Sequence, residues 1–172
     1  MKIEDDFLAQ EDFDKIQDLI MGDNFAWFYK PTIDYPEEEY NERKFQFSHL
    51  FYGDSIPQSP FMNELNPILN IIKPISIYRI KANLLTRTPD IIENSFHVDI
   101  GALKNSPEKL KQWTTSIFYM NTNNGYTKFE DGTKVECIAN RMLTFPSNMK
   151  HTGTSCTDEK RRIVINFNYL AN

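Results

Sequence analysis

The chain has 172 residues, 40% hydrophobic and 13% aromatic, which suits one domain whose core is rich in large rings. Its net charge of -5, from 19 Lys and Arg against 24 Asp and Glu, speaks against nucleic-acid or anionic-membrane partners. No apolar run reaches the roughly 18 residues of a membrane span, and no GxGxxG or GxxxxGK[ST] string offers a phosphate cradle.

The acidic opening Met1–Asp6 is not expected to be a secretory signal. Glu11 to Met21 places Phe13, Ile16, Leu19 and Ile20 at helical spacing, and Gly22 supplies a stop. Phe25, Trp27 and Tyr29 then alternate as on a strand, as do Phe45 and Phe47. Between them, Tyr35 to Arg43 is an acidic stretch expected to be a solvated loop. Ser59-Pro60 reads as a helix start ahead of the apolar set Leu65, Ile68, Leu69 and Ile72, with Pro67 expected to kink or divide that helix.

From Pro74 the pattern changes. Ile75–Thr86, Phe96–Ile100, Thr114–Asn121, Lys134–Ile138, Arg141–Phe145 and Arg162–Tyr169 read as strands. Turn clusters separate them: Thr88-Pro89-Asp90, Asn123-Asn124-Gly125, Asp131-Gly132 and Pro146-Ser147-Asn148. Helices followed by short strands describe an α+β protein with an antiparallel sandwich or barrel. No linker or repeat divides the chain, so residues 1–172 are expected to form one domain. Helices and first strands fall in 1–73, and a strand-rich core in 74–170. Cys137 and Cys156 lack CxxC spacing and are expected to be reduced structural thiols, consistent with a cytoplasmic protein.

His97-Val98-Asp99 lies in a strand-like segment, where residues two apart share a face, so an imidazole and a carboxylate point together. Alone, HxD is a weak signal. His151, far downstream and just past a turn, supplies a third ligand if the sheet closes on itself as a jelly roll does. Two His and one carboxylate leave coordination positions open, which favours Fe(II) oxygen chemistry over closed structural zinc, while zinc hydrolysis stays open as a reading. His49 has no acidic partner at ligand spacing and reads as structural or surface. In the last strand, alternation sets Arg161 with Ile163, Ile165 and Phe167 on one face, and Arg162 with Val164, Asn166 and Asn168 on the other. The first set looks like a packing face and the second like a cavity lining. Arg162 is therefore chosen over Arg161 as the cation that would grip a carboxylate ligand at both oxygens.

HVD at 97–99, SIFYMN at 116–121, FPSNMKH ending at His151 and RIVINFN at 162–168 together resemble the Fe(II)/2-oxoglutarate-dependent dioxygenases, specifically the prolyl-4-hydroxylase-like branch. The resemblance runs from about Ile75 to Tyr169. It implies a double-stranded β-helix (a distorted jelly roll) with supporting N-terminal helices, and His97, Asp99 and His151 as the iron triad. Arg162 would hold the distal carboxylate of 2-oxoglutarate, with Tyr119 hydrogen-bonding the same group. The implied cofactors are Fe(II), 2-oxoglutarate and O2, with ascorbate as reductant. The implied activity is hydroxylation of an unactivated C–H bond in a peptide, protein or small molecule, a prolyl residue being the leading substrate. Two departures stand out: Gly125-Tyr126 where relatives often carry Gly-Gly, and Leu84 or Leu85 near a tyrosine position. A non-catalytic jelly-roll binding module and a zinc-dependent cupin-like hydrolase or isomerase are the alternatives.

Overall fold

A computed structural model describes residues 1–33 and 42–171. Its strands are β1 (Lys2–Glu4), β2 (Phe28–Lys30), β3 (Gln46–Gly53), β4 (Ile56–Pro57), β5 (Ser76–Thr86), β6 (Thr114–Tyr119), β7 (Asn123–Phe129), β8 (Lys134–Cys137), β9 (Arg141–Pro146), β10 (His151–Gly153) and β11 (Arg161–Leu170). The α-helices are α1 (Gln10–Met21), α2 (Asn66–Ile72) and the single turn α3 (Pro107–Leu110). A large antiparallel sheet runs β1-β9-β6-β11-β5-β3-β2, with β4 paired to β3, and a small sheet runs β10-β7-β8. The two sheets face one another as a double-stranded β-helix, and the class is the expected α+β. No helix among the described residues is long and apolar enough to cross a membrane.

The large sheet is buried on both faces at its centre because β11 is apolar on one and mixed on the other. One face packs against α1, which buries Phe13, Ile16 and Ile20, and against α2 through Ile68. On the other face Ile117, Tyr119, Leu143, Phe145 and Val164 meet Phe129, Val135 and Cys137 of the small sheet. This second core ties the two sheets together beside the space where β5 and β11 face inward.

Local readings needed four corrections. Phe96–Ile100 is not a strand: His97 and His151 form an isolated bridge, and the Asp99 carbonyl accepts from the Arg79 side chain at 3.1 Å instead of from a neighbouring strand. Asn123-Asn124-Gly125 opens β7 rather than making a turn, with a bulge between Asn123 and Tyr126. Pro67 divides the helical stretch, one of its two expected outcomes. A 3-10 turn over Met62–Leu65 ends where α2 begins, and Pro67 stands in the first turn of α2, where its missing N–H has no intrahelical partner to lose, so the helix starts well after Ser59. Ser59 accordingly caps only the preceding turn, taking the Phe61 N–H at 3.1 Å. Finally, only Phe28–Lys30 of the first aromatic stretch pairs as a strand, since Phe25 turns into the core against Phe51 and Phe61. The Tyr35–Asn41 part of the acidic stretch lies outside the described residues.

Candidate metal centre

His97 and Asp99 project from the same side of the loop that bridges the two sheets, while Val98 packs the other way with Ile100 and Leu110. The alternation expected of a strand therefore survives in an extended segment without a ladder. His151 enters from β10, held opposite His97 by two backbone bonds of 3.0 and 3.1 Å. The ligand atoms of the three residues lie within 4.8 Å of one another. Each imidazole Nε2 stands 3.9 Å from an Asp99 oxygen, His97 beside Oδ1 and His151 beside Oδ2.

Each ring is fixed by its other nitrogen. His97 Nδ1 lies 3.1 Å from the Ser95 carbonyl and His151 Nδ1 lies 3.2 Å from the Met149 carbonyl. A carbonyl only accepts, so the proton sits on Nδ1 and the Nε2 lone pair is left facing its partners. The Asp99 carboxylate, 4% exposed, is held by Asn168, which the alternation of the last strand set on the cavity face without a role, and by Arg79, which sequence reading did not single out. Asn168 Nδ2 donates to Oδ2 at 3.0 Å, and the Arg79 guanidinium lies 3.5 Å from Oδ1. Desolvation works to raise the Asp99 pKa, yet His151, Arg79 and His97, the two imidazoles acting while they are protonated, together with the Asn168 bond outweigh it. They hold the group well below the usual carboxylate range, so that the carboxylate is already ionised when the imidazoles lose their extra proton to receive a metal. This set of two neutral imidazoles and one ionised carboxylate fits a divalent metal, and the cluster has no fourth His, Cys, Asp or Glu among the described residues.

The cleft that opens over the triad is narrow, about 70 Å³, and opens to solvent. Arg162, Val164 and Asn166 of β11 line it, as do Leu85 of β5, Ile117 of β6 and Thr127 of β7. Arg161 points away and donates to the Met21 carbonyl at the end of α1, 3.1 Å distant. Arg162 is 4% exposed and pairs with no carboxylate among the described residues; its Nη2 donates to Thr127 Oγ1 at 3.3 Å and its Nε has no partner. A buried guanidinium with an idle nitrogen and a free cleft beside it is the arrangement an anionic ligand would complete.

Tyr119 stands behind this arginine and outside the cleft lining. Its ring centroid is 5.8 Å from the guanidinium carbon, and its hydroxyl donates to Thr127 Oγ1 at 2.8 Å. Burial pushes the phenol pKa up despite the nearby Arg162 charge, so the group stays neutral. Thr127 thus accepts from both Tyr119 and Arg162, which leaves its own proton to donate elsewhere. Nothing in the sequence marked Thr127, because its strand was hidden behind the Asn-Asn-Gly signal. Of the two leucines at the departed tyrosine position, Leu85 lines the cleft and Leu84 packs in the core. Gly125 earns its place by proximity: a Cβ there would lie 2.8 Å from Arg162 Cδ and 2.8 Å from the Ser155 carbonyl.

His49 stays away from the triad. Its Nδ1 meets the Ala26 carbonyl at 2.8 Å and its Nε2 meets Ser59 Oγ at 2.7 Å, a satisfied core position. Cys137 and Cys156 are both buried and free.

No family model and no curated protein sequence matches the chain. Solved structures do. A prolyl hydroxylase from Trichoplax adhaerens, solved with a hypoxia-inducible-factor degradation-domain peptide, superposes with a TM-score of 0.66 at 12% identity, covering 98% of this chain and 83% of that one. A 2OG-Fe(II) oxygenase family oxidoreductase from Burkholderia pseudomallei gives 0.63 at 11% identity, over 94% and 80%. A non-haem α-ketoglutarate-dependent epimerase from nogalamycin biosynthesis gives 0.66 at 10%, over 98% and 77%. At these identities the likeness shows the fold, which is that of the 2OG-Fe(II) oxygenases.

Proposed function

We propose that this chain is an Fe(II)- and 2-oxoglutarate-dependent dioxygenase that hydroxylates an unactivated C–H bond, with a prolyl residue of a peptide or protein as the substrate. The observation that carries this reading is one cleft holding both the His97, Asp99 and His151 cluster and a buried arginine without a carboxylate partner among the described residues. Either feature alone has ordinary explanations. Together they match a metal and a dianionic co-substrate.

His97, Asp99 and His151 would hold the iron through two Nε2 lone pairs and one carboxylate. Arg79 and Asn168 orient Asp99 and keep it ionised. Arg162 would take the distal carboxylate of 2-oxoglutarate, Thr127 would add its hydroxyl proton, and Tyr119 would hold both in place from behind. With O2, and ascorbate to keep the metal ferrous, the bound iron and co-substrate supply the oxidising power for hydroxylation. Leu85, Ile117 and Val164 give the cleft apolar walls that limit water around the reacting C–H bond. The two buried thiols suit a cytoplasmic setting.

The test is succinate formation by the purified chain given Fe(II), 2-oxoglutarate and ascorbate, with prolyl peptides checked for a 16-dalton gain. His97→Ala and His151→Ala should abolish both metal binding and succinate. Succinate formed equally well by those variants would overturn the assignment. Succinate coupled to epimerisation or ring closure without oxygen gain would keep the co-substrate and refute hydroxylation.

A further inference from the structure

Three side-chain carbonyl oxygens lining the metal cleft are buried with no hydrogen-bond partner among the described residues. They are Oδ1 of Asn83 on β5, of Asn94 ahead of the His97 segment, and of Asn166 on β11. Asn94 and Asn166 are each 8% exposed. The orientation of Asn94 is fixed, because its Nδ2 donates to the Gly153 carbonyl of β10 at 2.9 Å. The end left over can only accept. Buried acceptors without donors are costly, and three of them in one cleft point to a ligand that brings donors.

The 2-oxoglutarate dianion offers acceptors only, so it leaves all three as they are. The donors therefore belong to the substrate. A cationic donor is disfavoured. Arg162 lines the cleft, and Asp99, the one acid in its described lining, is already engaged by Arg79 and Asn168. Neutral N–H groups fit, since a carboxamide oxygen accepts from them with no charge left to balance. Register sets the spacing. Val164 of β11 lies opposite Asn83 and Asn166 lies opposite Lys81, so Asn83 and Asn166 are diagonal neighbours on the cleft face, about 7–8 Å apart. Two residues of extended peptide advance about 7 Å, and alternate N–H groups point to the same side.

We infer that Asn83, Asn94 and Asn166 are specificity-determining residues that select a substrate by the N–H groups of an extended peptide backbone. Asn83 and Asn166 accept from amides two residues apart, and Asn94 accepts from the β10 side. The inference rests on the oxygenase reading, which makes the ligand of this cleft its substrate.

The experiment uses the full chain with Mn(II) and 2-oxoglutarate, and a fluorescein-labelled, Ala-rich decapeptide with one central proline. Two depsipeptides of the same sequence carry esters, which lack the N–H and keep the shape, at alternate positions in the two possible frames. In anisotropy titrations, esters in one frame should weaken binding about tenfold, and esters in the other should change it by less than about twofold. The double variant Asn94→Leu/Asn166→Leu should bring all three peptides within about twofold of one another. It should also melt at or above the parental Tm, because it removes two orphan acceptors. Equal binding of the three peptides by the parent, equal loss in both frames, or no binding up to about 1 mM would overturn the inference. So would a frame preference that survives in the double variant, or a double variant that melts well below the parent. Succinate release measured alongside with Fe(II) separates the two claims. Release stimulated equally by all three peptides sinks this inference and leaves the oxygenase standing. Frame-selective binding with no succinate under any condition does the reverse.

Discussion

Replacing Arg162 by Met should leave the ligand-free protein as stable as its parent, or more so, while removing its response to 2-oxoglutarate. The side chain is 4% exposed, makes one hydrogen bond of 3.3 Å, and has an idle Nε and no carboxylate partner among the described residues. Buried charges are costly unless paired, and apolar replacements of similar volume are often neutral or stabilising by about 1–4 kcal/mol. Losing the Thr127 bond costs about 1 kcal/mol. A domain of this size shifts by about 2–4 °C per kcal/mol, so a net gain of about 0–3 kcal/mol should place the variant between the parental Tm and about 12 °C above it. The parent, given 2-oxoglutarate at about a hundred times its Kd with a redox-inert divalent metal, should gain about 2.7 kcal/mol, or roughly 5–11 °C. The variant should gain none of this. Differential scanning fluorimetry reads all four states, and Arg161→Met, whose side chain caps α1 instead, serves as the control that keeps the ligand response. A variant that melts well below the parent and still shifts with 2-oxoglutarate would refute the reasoning, because the arginine would then be a structural residue.

Asn168→Leu removes a donor from Asp99 at 3.0 Å without touching the imidazoles, and should weaken Mn(II) or Co(II) binding about 10- to 100-fold by equilibrium dialysis. Gly125→Ala puts a methyl 2.8 Å from a backbone carbonyl that cannot swing aside, and should cost about 1–3 kcal/mol in urea unfolding. His49 is held neutral by burial, which lowers its pKa against the opposing pull of the Ala26 carbonyl. The unfolded chain therefore takes up that proton first. Stability should be full above about pH 6.5 and fall as the pH drops below it, and His49→Gln should flatten that part of the slope.

Period and chemistry were legible in the residues themselves. The 3.6-residue spacing of Phe13, Ile16 and Ile20 marked α1, and the alternation of β11 separated Arg162 from Arg161, because a strand can present only two faces. HxD spacing likewise pointed His97 and Asp99 the same way, even though the segment is not a strand. What no local pattern could supply was the meeting of distant pieces. Whether His151 comes within reach of Asp99 depends on β10 crossing to the opposite sheet. Arg79, Asn168 and Thr127 read as ordinary strand residues until pairing sets them against Asp99 and Arg162. The Asn-Asn-Gly run, a turn by composition, became a bulged strand because Gly125 is the one residue small enough to let Arg162 pass. Side-chain period is a property of neighbours along the chain and survives without a fold. Ligand convergence and charge balance are properties of neighbours in space, and only sheet closure creates them.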